Sequence, residues 1–137
     1  MQVDGRCHCG AIRFEAEVDP ERVGICHCSD CQTFSGSAFR TSTFVREADL
    51  RLRRGEPAIY RKTAESGAAR DLAFCARCGT HVWGVPGGGD GPRFYSVRVG
   101  VLAQRAALPP RIQLWCRSAM PWLEELSTVP RRERQSR

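Results

Sequence analysis

Long apolar runs are missing from this chain. No stretch of the 137 residues approaches the roughly 20 consecutive apolar residues that a membrane-crossing helix needs. The N-terminal MQVDGRCHCG has neither a basic region leading into an apolar one nor a small-residue cleavage site. A soluble, cytoplasmic protein is therefore expected. Helical periodicity is equally scarce: one turn after Ser29 and a short segment from Trp122 to Leu126 are the only candidates, and neither is long enough for a core helix. The phosphate-cradling Gly-Lys-Ser/Thr ending is missing too. Gly87, Gly88, Gly89, Asp90 and Gly91, bracketed by Pro86 and Pro92, read as a hairpin loop between two strands. Lysine is nearly absent, with Lys62 alone among 21 basic residues. The formal charge of +6 falls to about +3 once seven thiolates and two divalent ions are counted, which removes the electrostatic case for a nucleic-acid partner.

Cysteine is what the chain has in excess. Seven of its eight cysteines lie in three clusters, Cys7-x-Cys9, Cys26-x-Cys28-x-x-Cys31 and Cys75-x-x-Cys78. Such spacings suit metal better than a disulfide framework. Cys9 and Cys78 are each followed by glycine, Gly10 and Gly79, and a glycine there takes a positive φ that turns amide hydrogens toward the sulfurs. Cys31 is followed by Gln32 and lacks that device. The paired knuckles assign Cys7, Cys9, Cys75 and Cys78 to one closed tetrahedral zinc site, leaving Cys26, Cys28 and Cys31 for a second zinc.

Four thiolates drawn from distant parts of the chain make a structural site. Three leave one coordination position for an exogenous ligand, the feature that separates catalytic from structural zinc. A thiolate-rich zinc favours a soft thiol over hydroxide chemistry, so a thiol-bearing substrate is expected. Cys116 offers a competing reading: if it completes the middle cluster, both zincs are structural. Its apolar neighbours suggest instead a free cysteine acting as a small hydrophobe. Residues two apart on a strand share a face, which would converge each C-x-C pair and send His8 and His27 the other way, into supporting or surface roles. His81, in strand after the second knuckle, is expected to be packed or exposed and not a ligand.

Short alternating segments dominate the rest: residues 11–18, with Ile12, Phe14, Ala16 and Val18 on one face, then 58–61, 71–74, 80–85, 93–99 and 111–115. They predict a mainly antiparallel, all-β fold in a single domain spanning residues 1–137, with its core over about 5–126 and a flexible basic tail over 127–137.

The pattern Gly5-Arg6-Cys7-His8-Cys9-Gly10, Cys26-His27-Cys28-Ser29-Asp30-Cys31 with Gly36, Phe74-Cys75-Ala76-Arg77-Cys78-Gly79-Thr80 and Pro121-Trp122 resembles the glutathione-dependent formaldehyde-activating enzymes, a domain type shared with centromere protein V. The resemblance implies a β-tent zinc-binding fold. It also implies a structural zinc on Cys7, Cys9, Cys75 and Cys78, and a catalytic zinc on Cys26, Cys28 and Cys31. The implied reaction joins glutathione and formaldehyde as S-hydroxymethylglutathione, or reverses that step, as a carbon-sulfur lyase. His27 and a water are the candidate proton donors, with the same-face argument against His27. The chain departs from the pattern at Gln113 and Ala119, where relatives carry a histidine and a basic residue, and Arg40, Arg98 and Arg117 are the candidate carboxylate-binding forks in their place. A strand arginine is, however, more often a solvated face. Trp115, Trp122, Phe39 and Phe44 are candidate pocket walls. The rival class is a non-enzymatic zinc-binding module recognising protein or nucleic acid.

Overall fold

Ile12, Phe14, Ala16 and Val18 are all buried, as their alternation requires, and the strand that carries Phe14 and Ala16 sits at the centre of a small sheet. The computed structural model describes residues 1–88 and 91–135. Gly89 and Asp90 of the glycine-rich loop, and Ser136 and Arg137 of the tail, lie outside the described residues. Ten strands form in chain order: β1 (Gln2–Arg6), β2 (Arg13–Glu17), β3 (Val23–Cys26), β4 (Arg40–Arg46), β5 (Leu50–Arg54), β6 (Ala58–Thr63), β7 (Ala69–Phe74), β8 (His81–Pro86), β9 (Phe94–Arg98) and β10 (Ile112–Leu114). One α-helix, α1 (Ser29–Ser35), and several 3-10 segments complete the described residues, the longest 3-10 segment being Pro121–Thr128. The strands build a three-stranded sheet, β1-β2-β5, and a seven-stranded sheet, β10-β3-β4-β9-β8-β7-β6. Every pairing is antiparallel except β10 on β3. The fold is all-β and mainly antiparallel, as expected. No helix among the described residues is long and apolar enough to cross a membrane.

The core lies between the two sheets. Phe14 of β2 meets Trp83 of β8 edge-on with ring centroids 5.2 Å apart, and Trp83 in turn meets Tyr95 of β9 at 5.6 Å. Val3, Val23, Val45, Ala73 and Val97 fill the remaining space. Alternation along the sequence points to β2 and β6 through β10, but β1, β3, β4 and β5 lie outside it. β4 shows why: its sequence RTSTFVR places Thr43 and Val45 in the core, while Arg40 and Ser42 line a cavity on the opposite face. Thr43 on the core face and Phe44 on the cavity face break the apolar-polar alternation by which such a strand is read.

Gly5 of β1 is directly opposite Phe14 of β2. A Cβ at position 5 would fall 2.1 Å from the Phe14 ring, so the ring covers the bare backbone. Gly5→Ala is therefore expected to destabilise the protein by about 3 kcal/mol, the upper range for overpacking. Gly100, whose added Cβ meets nothing within 4 Å among the described residues, serves as the control. Its alanine variant should stay within about 0.5 kcal/mol in urea denaturation, and equal behaviour of the two would refute the packing account.

Candidate functional site

Two similar hairpin turns hold the first cysteine group. Between β1 and β2, the Cys7 amide donates to the Ile12 carbonyl at 3.2 Å; between β7 and β8, the Cys75 amide donates to the Thr80 carbonyl at 2.9 Å. Gly10 and Gly79 have φ of 79° and 78°, the left-handed conformation expected at each knuckle. The amides that follow them, Ala11 and Thr80, donate to the Cys9 and Cys78 sulfurs, and Ile12 donates to Cys7 Sγ at 3.2 Å. His8 is exposed, and its amide joins the two turns through Thr80 Oγ1 at 3.0 Å. The four sulfurs of Cys7, Cys9, Cys75 and Cys78 all lie within 4.8 Å of one another.

Their spacing is diagnostic. Cys7 and Cys9 sulfurs are 3.6 Å apart and Cys9 and Cys75 sulfurs 3.8 Å. A disulfide needs about 2.05 Å, whereas a tetrahedral ion with bonds of about 2.3 Å to sulfur sets its ligands about 3.8 Å apart. The amide donors favour the thiolate form, and donation from the Thr80 hydroxyl and nearby amides holds Cys78 down at about 5. At Cys9 the Ala11 amide is outweighed by desolvation and the neighbouring thiols, which push it up to about 11. The residues fit a closed metal site.

The second group forms differently. Cys26 ends β3, Cys28 caps the N-terminus of α1 with its sulfur accepting from the Cys31 amide at 3.3 Å, and Cys31 is buried in the first turn. The three sulfurs also lie within 4.8 Å of one another. Strand alternation is thus not what converges the C-x-C pairs, contrary to the sequence argument: Cys7 and Cys9 belong to a turn, and Cys28 belongs to a helix cap. Hydrogen bonding from the Cys31 side chain, then from Cys28, with the Arg40 charge adding, holds Cys26 down at about 5, and the same bond with burial pushes Cys31 up. Gln32, which stands where the knuckles have glycine, donates to the His27 carbonyl at 2.7 Å and the Ser118 carbonyl at 3.0 Å. It fixes the cluster against the following 3-10 turn, Cys116–Ser118.

The cluster opens into a cavity of about 620 Å³ on the face of the large sheet away from the core. Register makes its floor. Gly24 pairs with Ser42, Ser42 with Arg98, and Ser96 with both Phe44 and Gly84. Glycine and serine leave the space, while Arg40, opposite Cys26, and Arg98 project into it. Lys62 of β6 binds Asp30 of α1 at 2.6 Å on one wall. Trp115 stands at the mouth with φ 58°, the one non-glycine positive φ among the described residues. Arg117 lies 5.0 Å over its ring and reaches Glu65 at 3.3 Å.

Several expectations change here. Cys116 is exposed and stands outside both sulfur groups, so it is neither their ligand nor a packed hydrophobe. His27 is buried but lines a separate groove with Phe39 and Gln113, its Nε2 paired with Gln113 Oε1 at 2.8 Å. It is therefore no proton donor for the cysteine cavity, and Gln113 is its partner. His81 packs against the Phe34 and Phe74 rings, and burial lowers its pKa. Phe44 and Trp115 line the cavity, whereas Phe39 lines the His27 groove and Trp122 is exposed. Arg117 belongs to the rim pair, and Arg98 is buried instead of solvated. The sequence did carry one signal for Arg98: Gly84 interrupts the apolar run of β8, and a glycine inside a strand marks a close approach.

An all-β domain with two cysteine groups fit for metal, one of four sulfurs and one of three opening on a cavity, is the class these observations define. A family profile described as "Glutathione-dependent formaldehyde-activating enzyme" matches residues 2–118; the chain belongs to this family. It is 29% identical over 87 residues to a Halomonas elongata protein provisionally named a glutathione-dependent formaldehyde-activating enzyme, covering 61% of this chain and 55% of the relative. It is 27% identical over 93 residues to a Schizosaccharomyces pombe protein named an uncharacterized lyase, covering 68% of this chain and 64% of the relative. The matched regions thus span less than two thirds of either relative's own length. A crystal structure of a Rhodobacter sphaeroides protein is similar with a TM-score of 0.61 and 25% identity, over 82% of this chain and 99% of that one.

Proposed function

We propose that the chain is a zinc-dependent carbon-sulfur lyase that joins glutathione, or a related thiol, to formaldehyde or a similar electrophile. The observation that carries this reading is the group of three sulfurs, Cys26, Cys28 and Cys31, opening on the 620 Å³ cavity while the other group has four. Family membership and the names of the relatives point to the same chemistry.

In this reading Cys7, Cys9, Cys75 and Cys78 hold a structural zinc that joins the β1-β2 and β7-β8 hairpins, and Cys26, Cys28 and Cys31 hold the catalytic one. Zinc bound by these three cysteines supplies a position that takes a thiol as its thiolate. The chain's own residues do the rest. The helix cap fixes Cys28, Gln32 fixes the cluster loop, and Trp115 with Arg117 and Glu65 forms the rim of the mouth. Arg40 adds positive charge beside Cys26, which favours an anionic sulfur in the cavity. The thiol gives up its proton to water. Its sulfur forms its bond to the carbonyl carbon, the π pair moves to oxygen, and that oxygen takes a proton back from water, so no net acid or base is consumed. Water is assigned because His27 faces the other groove and the two acids of the cavity, Asp30 and Glu65, are paired with Lys62 and Arg117.

Exchange NMR of glutathione with formaldehyde tests the activity. Zinc-loaded protein should accelerate formation and breakdown of S-hydroxymethylglutathione by at least about tenfold over the uncatalysed reaction, a difference of about 1.4 kcal/mol in barrier. A rate equal to that of buffer would remove the assignment.

A further inference from the structure

Arg98 is the most unusual charged residue in the molecule. It is 5% exposed, and among the described residues no carboxylate lies within ion-pair distance of it. The anionic groups acting on it are the Cys31 and Cys26 sulfurs, through space, and burying a cation without an ion-paired partner is costly, so its retention calls for a reason. One end of the guanidinium is fully engaged: Nη1 donates to the Ser96 carbonyl at 2.9 Å, Ser96 Oγ at 3.2 Å and Ser42 Oγ at 3.3 Å. The other edge is not. Nε and Nη2 are buried and have no hydrogen-bond partner among the described residues.

Those two nitrogens form the side-on edge with which arginine grips a carboxylate through two parallel hydrogen bonds. Gly84 gives the guanidinium its room, since a Cβ there would lie 3.1 Å from Nη2. The strand register puts Arg98 beside Ser42 and Arg40 beside Cys26 on the same cavity floor. Burial, together with the Arg40 charge and against the attraction of Cys31 and Cys26, brings the guanidinium down to about 9, so it remains cationic at neutral pH. Its desolvation and its like-charged neighbour are both relieved by an incoming anion.

We propose that Arg98, with Arg40 beside it, is the seat for a carboxylate of the substrate, so that the cavity takes carboxylate-bearing thiols with the sulfur at Cys26, Cys28 and Cys31 and the carboxylate on the Nε and Nη2 edge. This rests on the thiol-binding reading of the three-cysteine cluster. It adds that recognition runs through an anion held on the sheet floor, and that a small mercapto acid carries the features required. Glutathione carries them as well.

The test is calorimetric titration of the zinc-loaded full chain with 3-mercaptopropionate and with its methyl ester, two ligands that share a thiol and differ in charge. The acid should bind at least about tenfold tighter than the ester, as a charge-assisted bidentate pair in a buried site requires. In Arg98→Gln that preference should fall to within about twofold, with the ester's affinity little changed and the melting temperature no lower than the parent's, because an unpaired buried charge has been removed. Gly84→Ala, which presses a methyl group against Nη2, is the second variant and should reduce the preference while leaving Arg98 in place. Equal binding of acid and ester, or a preference that survives both substitutions, overturns the carboxylate seat and leaves the thiol site standing. Failure of both ligands to bind overturns the thiol reading and this inference with it.

Discussion

Cys75→Ser is expected to leave a chain without a cooperative unfolding transition at 25 °C. Cys75 is buried, its sulfur lies 3.8 Å from that of Cys9, and its group joins two hairpins at residues 7–9 and 75–78. A structural zinc contributes on the order of 10 kcal/mol that exists only in the folded state. The whole stability of a domain this size is about 5–15 kcal/mol. Losing one of four thiolates thus removes most of what holds the hairpins together, and the core between the sheets depends on their placement through Phe14 and Trp83. Near-ultraviolet circular dichroism and thermal melting of the purified variant check this. A variant that melts with the parent would show that the four-sulfur group is dispensable to the fold.

Cys28→Ser should do the opposite, abolishing thiol-dependent activity while sparing the fold. Cys28 is the N-cap of α1, accepting a hydrogen bond from the Cys31 amide. Serine is among the best N-cap residues, so the helix keeps its cap and the melting temperature should shift by only a few degrees. The ligand set falls from three to two. Even groups that only support a metal ligand cost about 10–100-fold when removed, so loss of a ligand should lower the exchange rate by at least about 100-fold. If Cys28→Ser and Cys75→Ser destabilise the protein equally, the division between structural and catalytic groups is wrong.

The local features of this protein were legible because their causes are local. Gly10 and Gly79 have the left-handed φ that two knuckles demand, and residues 12, 14, 16 and 18 bury the face their spacing announces. The grouping of the sulfurs followed from the residue after each cluster, and Gln32 proved to have a task of its own as an amide clamp. What could not be read was set by partners far along the chain. Arg98 looks like any strand arginine until β4 and β9 pair in a register that puts Ser42 beside it, and until Gly84 of β8 leaves room for its fork. In β4 a threonine, Thr43, faces the core and a phenylalanine, Phe44, faces the cavity, which hid the strand itself. Cys116 sits among apolar neighbours in sequence, yet the 3-10 turn that begins there exposes it. The C-x-C convergence was anticipated for the wrong reason, since turns and a helix cap achieve what strand alternation was expected to do.

The central claim is that one cysteine group is closed and the other keeps a position for a thiol. Zinc analysis combined with X-ray absorption at the zinc edge, with and without glutathione, addresses it most directly. The account predicts two zincs per chain with an average of about 3.5 sulfurs each before glutathione and about four after it, as the three-cysteine site gains a sulfur. A single zinc, or two zincs already bound by four sulfurs each and indifferent to the thiol, would contradict it.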